Sequence, residues 1–201
     1  MKYGAVVLSA GSGTRYGSKK QFEMLHEVPI WKIVSDKAKH VVPSPNVVVV
    51  GIDIAGGNTR SESVRIGINA LAQDTDRVII LEAARPLVTE DQIRELLEDT
   101  NPSVSFVMPL VNTVVYRDGT YVNRNELYEL LTPQAFDFDM LKTAYGRYEY
   151  ADFTDETRIM YEAYGIRPKF VETTQNLHKL TYKRDISILL EIEKMMEEGT
   201  I

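Results

Sequence analysis

Residues 9 to 22 gather much of the chain's chemistry into one stretch: Ser9-Ala10-Gly11-Ser12-Gly13-Thr14-Arg15, then Lys19-Lys20-Gln21-Phe22. The apolar run Ala5-Val6-Val7-Leu8 leads straight into it. Gly11 and Gly13 let the backbone come close to a ligand, and inward-facing loop N–H groups cradle an anion. Arg15, Lys19 and Lys20 add positive charge where a polyphosphate would lie. A glycine turn after a first strand is also an ordinary α/β feature, so the cations are the informative part. Two familiar phosphate loops fit badly. A Walker loop ends Gly-Lys-Ser/Thr, whereas Gly17 is followed by Ser18 and Lys19. A dinucleotide fingerprint places a third glycine at the mouth of a helix, and position 16 is Tyr. The expectation is a nucleotide-handling enzyme whose loop itself grips charge.

The bulk composition bounds the rest. A chain of 201 residues is long enough for one α/β domain, 1–201, with a real core. No repeat, low-complexity tract or linker divides it. Its formal net charge of −6 argues against nucleic-acid or membrane-surface binding, so an anionic substrate requires cations concentrated locally. With no cysteine there is no disulfide, thiolate metal site or cysteine nucleophile, which suits a cytoplasmic enzyme. No apolar stretch approaches a membrane span, and the run at 5–8 is too short for a signal peptide.

The elements that must position these residues alternate. Strands are expected at 3–8, 47–50, 78–81, 104–110, 127–131 and 170–171. Helices are expected after Pro29, through Val64, Ile68 and Leu71, from the capping box Thr89-Glu90-Asp91-Gln92 to Asp99, near 138–146 and 155–164, and from about Arg184 to Glu198. Four consecutive valines at 47–50 read as a central parallel strand covered on both faces. Val114-Val115-Tyr116, Asp118-Gly119 and Tyr121-Val122 read as a hairpin arm at about 111–124. The fold expected is α/β: one doubly wound, mostly parallel Rossmann-like sheet with a projecting β-arm. Ligands of such sheets sit at strand carboxyl ends, so the loop at 9–21 and the segments after Leu81 and Leu110 should converge.

Segments spread along the chain, taken in order, resemble the 2-C-methyl-D-erythritol 4-phosphate cytidylyltransferases and the related ribitol-5-phosphate cytidylyltransferases. They are Ala10-Gly-Ser-Gly-Thr-Arg15 with Lys20-Gln21-Phe22, then Arg60-Ser-Glu-Ser63-Val64, then Ala83-Ala-Arg85-Pro86. Thr132-Pro-Gln134 with Phe136, Thr154-Asp155-Glu156, and Lys179-Leu-Thr181 with Asp185 complete the set. The resemblance implies transfer of a cytidylyl group from CTP to a sugar-alcohol phosphate, with release of pyrophosphate. It implies catalytic roles for Arg15, Lys20 and Lys179. Nucleotide binding falls to Ser9, Ala10, Gly11, Ser12, Gly13 and Ser63. Thr113, Arg124 and Thr154 would line the sugar-phosphate pocket, with Mg²⁺ on residue 82 and a homodimer whose arm reaches a partner's site. The role of Arg85 stays open.

Four departures bear on that picture. The family's usual His-Asp-Ala-Ala-Arg-Pro is Leu81-Glu-Ala-Ala-Arg-Pro86 here, so the metal carboxylate is Glu82, displaced by ~1.5 Å through its extra methylene. Lys19 stands where a proline usually precedes the catalytic lysine, and it could share the role of Lys20. Asn112 replaces a frequent acidic residue. His178 lies inside the C-terminal motif. Methylerythritol 4-phosphate is the acceptor expected. Ribitol 5-phosphate, another polyol phosphate, or a weakened nucleotide-binding homologue are the alternatives.

Overall fold

The computed structural model describes residues 1–148 and 151–201. In chain order the elements begin β1 (Tyr3–Leu8), β2 (Met24–Leu25), β3 (Val28–Pro29), α1 (Ile30–Val41), β4 (Val47–Val50), α2 (Arg60–Ala70), β5 (Arg77–Glu82) and α3 (Glu90–Glu98). They continue β6 (Ser103–Pro109), β7 (Val114–Val115), β8 (Tyr121–Val122), β9 (Tyr128–Asp137), α4 (Phe138–Arg147), α5 (Glu156–Tyr164), β10 (Lys169–Glu172) and α6 (Asp185–Glu197). The main sheet runs β10-β6-β9-β5-β1-β4, with β9 antiparallel to both neighbours and the other pairs parallel. The expected mostly parallel α/β sheet is present.

Helices cover both faces. Val34 and Ala38 of α1 join Ile93, Leu96 and Leu97 of α3 on one side. On the other, Val64 and Ile68 of α2 pack with Leu141 of α4 and with Ile159 and Met160 of α5. A third cluster matters most for the site: Leu189 and Ile192 of α6 seal Tyr16, Ile30, Ala84 and Leu180 together. It ties the 9–22 loop, the segment after β5 and the C-terminal segment into one unit.

Two expectations are corrected. The valine strand β4 is parallel but lies at the sheet edge, not its centre. Its valines are buried because α1 and α2 cover its two faces, and facial burial does not reveal whether the edge is paired. The strand expected at 127–131 continues to Asp137 and enters the middle of the sheet. Pro133 has no N–H to give a ladder, and the pairing register between β6 and β9 shifts there, between Ser105 and Val107. The small β2–β3 ribbon carries no sequence signal, since its turn passes through His26 and Glu27 at positive φ without glycine.

Candidate active site

The loop leaving β1, the turn before α2 and the end of β5 enclose a cavity of about 480 Å³. Its lining includes Ser9, Ala10, Gly11, Ser12, Arg15, Lys20, Ser63 and Lys179, together with Arg60 and Glu82. Four cations therefore face a cavity that holds one carboxylate. The segment after Leu110 does not join it. The turn before α2 and the segment around Lys179 take its place.

Local geometry explains the loop. Gly13 has φ +69, and a Cβ there would lie 1.8 Å from the Ser18 carbonyl oxygen. Its carbonyl accepts from the N–H groups of Tyr16 and Gly17, so Gly13 shapes the turn and is not itself a lining residue. Gly51 has φ +100, and a Cβ would come within 2.7 Å of the Ser9 backbone, so only glycine lets the β4 turn press against the loop. Thr59 caps α2 by accepting from Glu62 N at 3.1 Å. Ser63 Oγ accepts from Gly57 N at 3.1 Å and donates to the Thr59 carbonyl at 3.0 Å. The helix thus turns its positive end toward the cavity.

A 3₁₀ turn at Lys20–Phe22 decides which lysine faces inward. Gln21 is buried, Lys19 is exposed, and Lys20 points at the cavity and donates to the Leu180 carbonyl at 2.6 Å. Burial, and next the Lys179 charge, push the Lys20 ammonium down to about 8, against the pull of Glu82. Lys179 is placed by bonds on both sides of it. Arg85, buried, donates to Thr132 Oγ1 at 2.9 Å and to the Leu177 carbonyl. Leu180 N donates to the Ala84 carbonyl at 2.8 Å. Asp185 accepts from the N–H groups of Thr181 and Tyr182 at 2.7 and 2.8 Å. The open question of Arg85 resolves to this scaffolding.

Glu82 sits between cations. One oxygen pairs with Lys179, and the other is 3.6 Å from Arg60 Nε. Burial alone would raise its carboxyl, but Lys179, then Arg60 and Arg85, hold it down at about 2. Arg60 in turn grips Glu156 with both terminal nitrogens, at 2.6 and 2.8 Å. Sequence reasoning gave Arg60 no role, because nothing in the spacing of residues 60 and 156 predicts that they meet. Among the described residues no group of three or more His, Asp or Glu is arranged to hold a metal. A Mg²⁺ ion that draws most of its ligands from phosphates and water needs only one or two protein carboxylates; Glu82 is the carboxylate that lines the cavity, and its oxygen toward Arg60, 3.6 Å away, accepts no hydrogen bond from the described residues.

Thr113, Arg124 and Thr154 lie elsewhere. All three are exposed, and none lines this cavity. Arg124 donates to the Val111 carbonyl within the arm. A second cavity of about 720 Å³, bounded by β6, β9 and α6, shares Lys179 with the first and does not reach them either.

A chain of net charge −6 that gathers cations at the carboxyl edge of a mostly parallel sheet is equipped to hold a polyphosphate. Fold and site together define the class as a Rossmann-like α/β protein built to bind a polyphosphate. Residues 33–194 match the family model of 2-C-methyl-D-erythritol 4-phosphate cytidylyltransferase, and the chain belongs to that family. It is 33% identical to the enzyme of that name from Endomicrobium trichonymphae, over 96% of this chain and 100% of that protein. Identity to the one from Caldicellulosiruptor bescii is 30%, over 99% of each. The bifunctional IspDF of Campylobacter jejuni superimposes with a TM-score of 0.81 at 26% identity, over 94% of this chain and 54% of that one. The chain thus spans nearly the whole of the first two relatives and about half of the bifunctional protein. No helix among the described residues is long and apolar enough to cross a membrane.

Proposed function

We propose that this chain transfers a cytidylyl group from CTP to 2-C-methyl-D-erythritol 4-phosphate and releases pyrophosphate. The observation that carries the reading is the convergence of Arg15, Lys20 and Lys179 on one cavity in a chain of this family. A phosphate monoester has a second pKa of about 6, so at neutral pH the acceptor is a dianion and needs no general base. Its oxygen attacks the α-phosphorus, the bond to the bridging β-oxygen breaks, and that electron pair leaves on pyrophosphate. The protein's task is to bring two polyanions together and to hold charge as it shifts. Arg15 has no carboxylate partner among the described residues, and Lys20 is tethered only to a carbonyl. Both charges are available to the triphosphate. Lys179 offers a third at the junction of the two cavities. Ser63 and the loop backbone at 9–12 hold the nucleoside end, with Gly13 shaping that loop.

Mg²⁺, held by Glu82 and phosphate oxygens, would supply further neutralisation of the triphosphate. Thr113, Arg124 and Thr154 serve the acceptor, the first two delivered by the arm of a second copy in a homodimer. What supports this is that the arm exposes Val115, Tyr116 and Tyr121 and turns neither Thr113 nor Arg124 to its own chain's cavities. The test is pyrophosphate release with CTP, Mg²⁺ and either methylerythritol 4-phosphate or ribitol 5-phosphate, with ATP, GTP and UTP as controls. Release with CTP and methylerythritol 4-phosphate is expected. Release with ribitol 5-phosphate alone, or with neither acceptor, overturns the assignment.

A further inference from the structure

Arg60 and Glu156 are the first residues of α2 and α5, two helices capped by Thr59 and Asp155. Glu156 is fully buried, and a buried carboxylate is tolerated only when paired and hydrogen-bonded. It receives both terminal nitrogens of Arg60 and the Tyr145 hydroxyl at 3.0 Å. A planar guanidinium held by two such bonds cannot rotate, so its remaining nitrogen, Nε, is fixed in direction. Nε faces Glu82 at 3.6 Å, a charge contact and not a hydrogen bond. The other oxygen of Glu82 holds Lys179.

We propose that Arg60 is a positioning residue: locked by Glu156, it orients Glu82, and through Glu82 it places the Lys179 ammonium at the cavity. This rests on the reading of the cavity as the CTP site. Lysine at 60 keeps the charge but has no planar fork, so it cannot be locked by two parallel bonds to Glu156 while presenting a fixed nitrogen to Glu82. Glu156→Gln keeps the shape and removes the charge that locks the fork.

A double-mutant cycle tests it. Arg60→Lys should lower kcat by at least about tenfold and weaken CTP binding about threefold, with the thermal midpoint recorded for each variant. In a Lys179→Met background the same substitution should cost nothing further in CTP affinity measured without Mg²⁺, where Glu82 has no metal to hold. Losses of that affinity that multiply across the two substitutions would mean that Arg60 touches substrate itself or acts only through stability, and would overturn the proposal. So would wild-type kcat in Arg60→Lys. If Arg60→Lys does not fold, Glu156→Gln carries the same cycle with the same two outcomes. If the wild-type protein makes no pyrophosphate, the functional reading fails by itself. The cycle is then read on CTP affinity alone, where vanishing or multiplying losses still decide the positioning claim.

Discussion

The cavity and the arm are built by opposite rules. Around the cavity nearly every charged group has a partner and a reason for its place. Glu82 bridges Lys179 and Arg60, Lys20 is tied to the Leu180 carbonyl, and α6 seals the three segments together. Among the described residues β7 and β8 of the arm pair only with each other, and Tyr116 and Tyr121 are 63% and 79% exposed. Apolar surface left out in this way marks a place where something else docks. The contrast teaches that one chain encloses the cavity by itself, which in the account proposed here is the nucleotide half of the reaction. The acceptor half, in the account proposed here, waits for a second copy.

The sharpest way to break that contrast is on the nucleotide side. Lys20→Ala should reduce kcat by at least ~100-fold, because a fixed cation that stabilises developing charge is removed. Steady-state kinetics check it, and near-normal turnover would remove Lys20 from that role. Lys19→Ala, by comparison, should leave kcat within about twofold, since exposed charges contribute little.

On the arm the expected effect is smaller and falls on a different constant. Arg124→Ala should raise the acceptor KM by roughly tenfold, the loss of one charge-assisted contact, while CTP affinity by calorimetry stays unchanged. A matching loss of CTP affinity would mean that the two regions are not separate.

The smallest effect sharpens the nucleotide side through pH. The Lys20 ammonium titrates near 8 in the free protein, well below an ordinary lysine. It is charged below that value and loses its proton as pH rises through it. CTP needs the charged form, so affinity should fall by about fourfold between pH 7 and 8.5, with proton uptake on binding. Calorimetry in buffers of different ionisation enthalpy measures both, and Lys20→Met should flatten the profile.

The sequence was most legible where periodicity carries the information. The helices α1, α2, α3, α4, α5 and α6 and the strands β1, β5, β6 and β10 lie where their apolar patterns put them. It was least legible where contacts between distant segments decide. The burial of Val47–Val50 could not tell an edge from a centre, and Pro133 hid the continuation of β9 behind a bulge. In the site, Arg15, Lys20, Ser63, Glu82 and Lys179 all face one cavity, as the ordered motifs implied. Gly13 shapes that loop without lining it. Thr132-Pro133-Gln134 proves to be scaffold: Thr132 accepts from Arg85, and Gln134 donates to Asp155 at 2.5 Å. The Arg60–Glu156 pair had no local signature, because its two members are first residues of helices 96 positions apart.

The decisive measurement mixes two inactive or weakened proteins. Lys20→Ala and Arg124→Ala chains are denatured together, refolded and assayed for pyrophosphate release at low acceptor concentration. If the arm serves the partner's site, half the dimers are mixed and each has one site with both residues intact, so activity should return to about one quarter of the wild-type value. Activity no greater than the average of the two separate variants would contradict the account, and would mean that each chain completes its acceptor site alone.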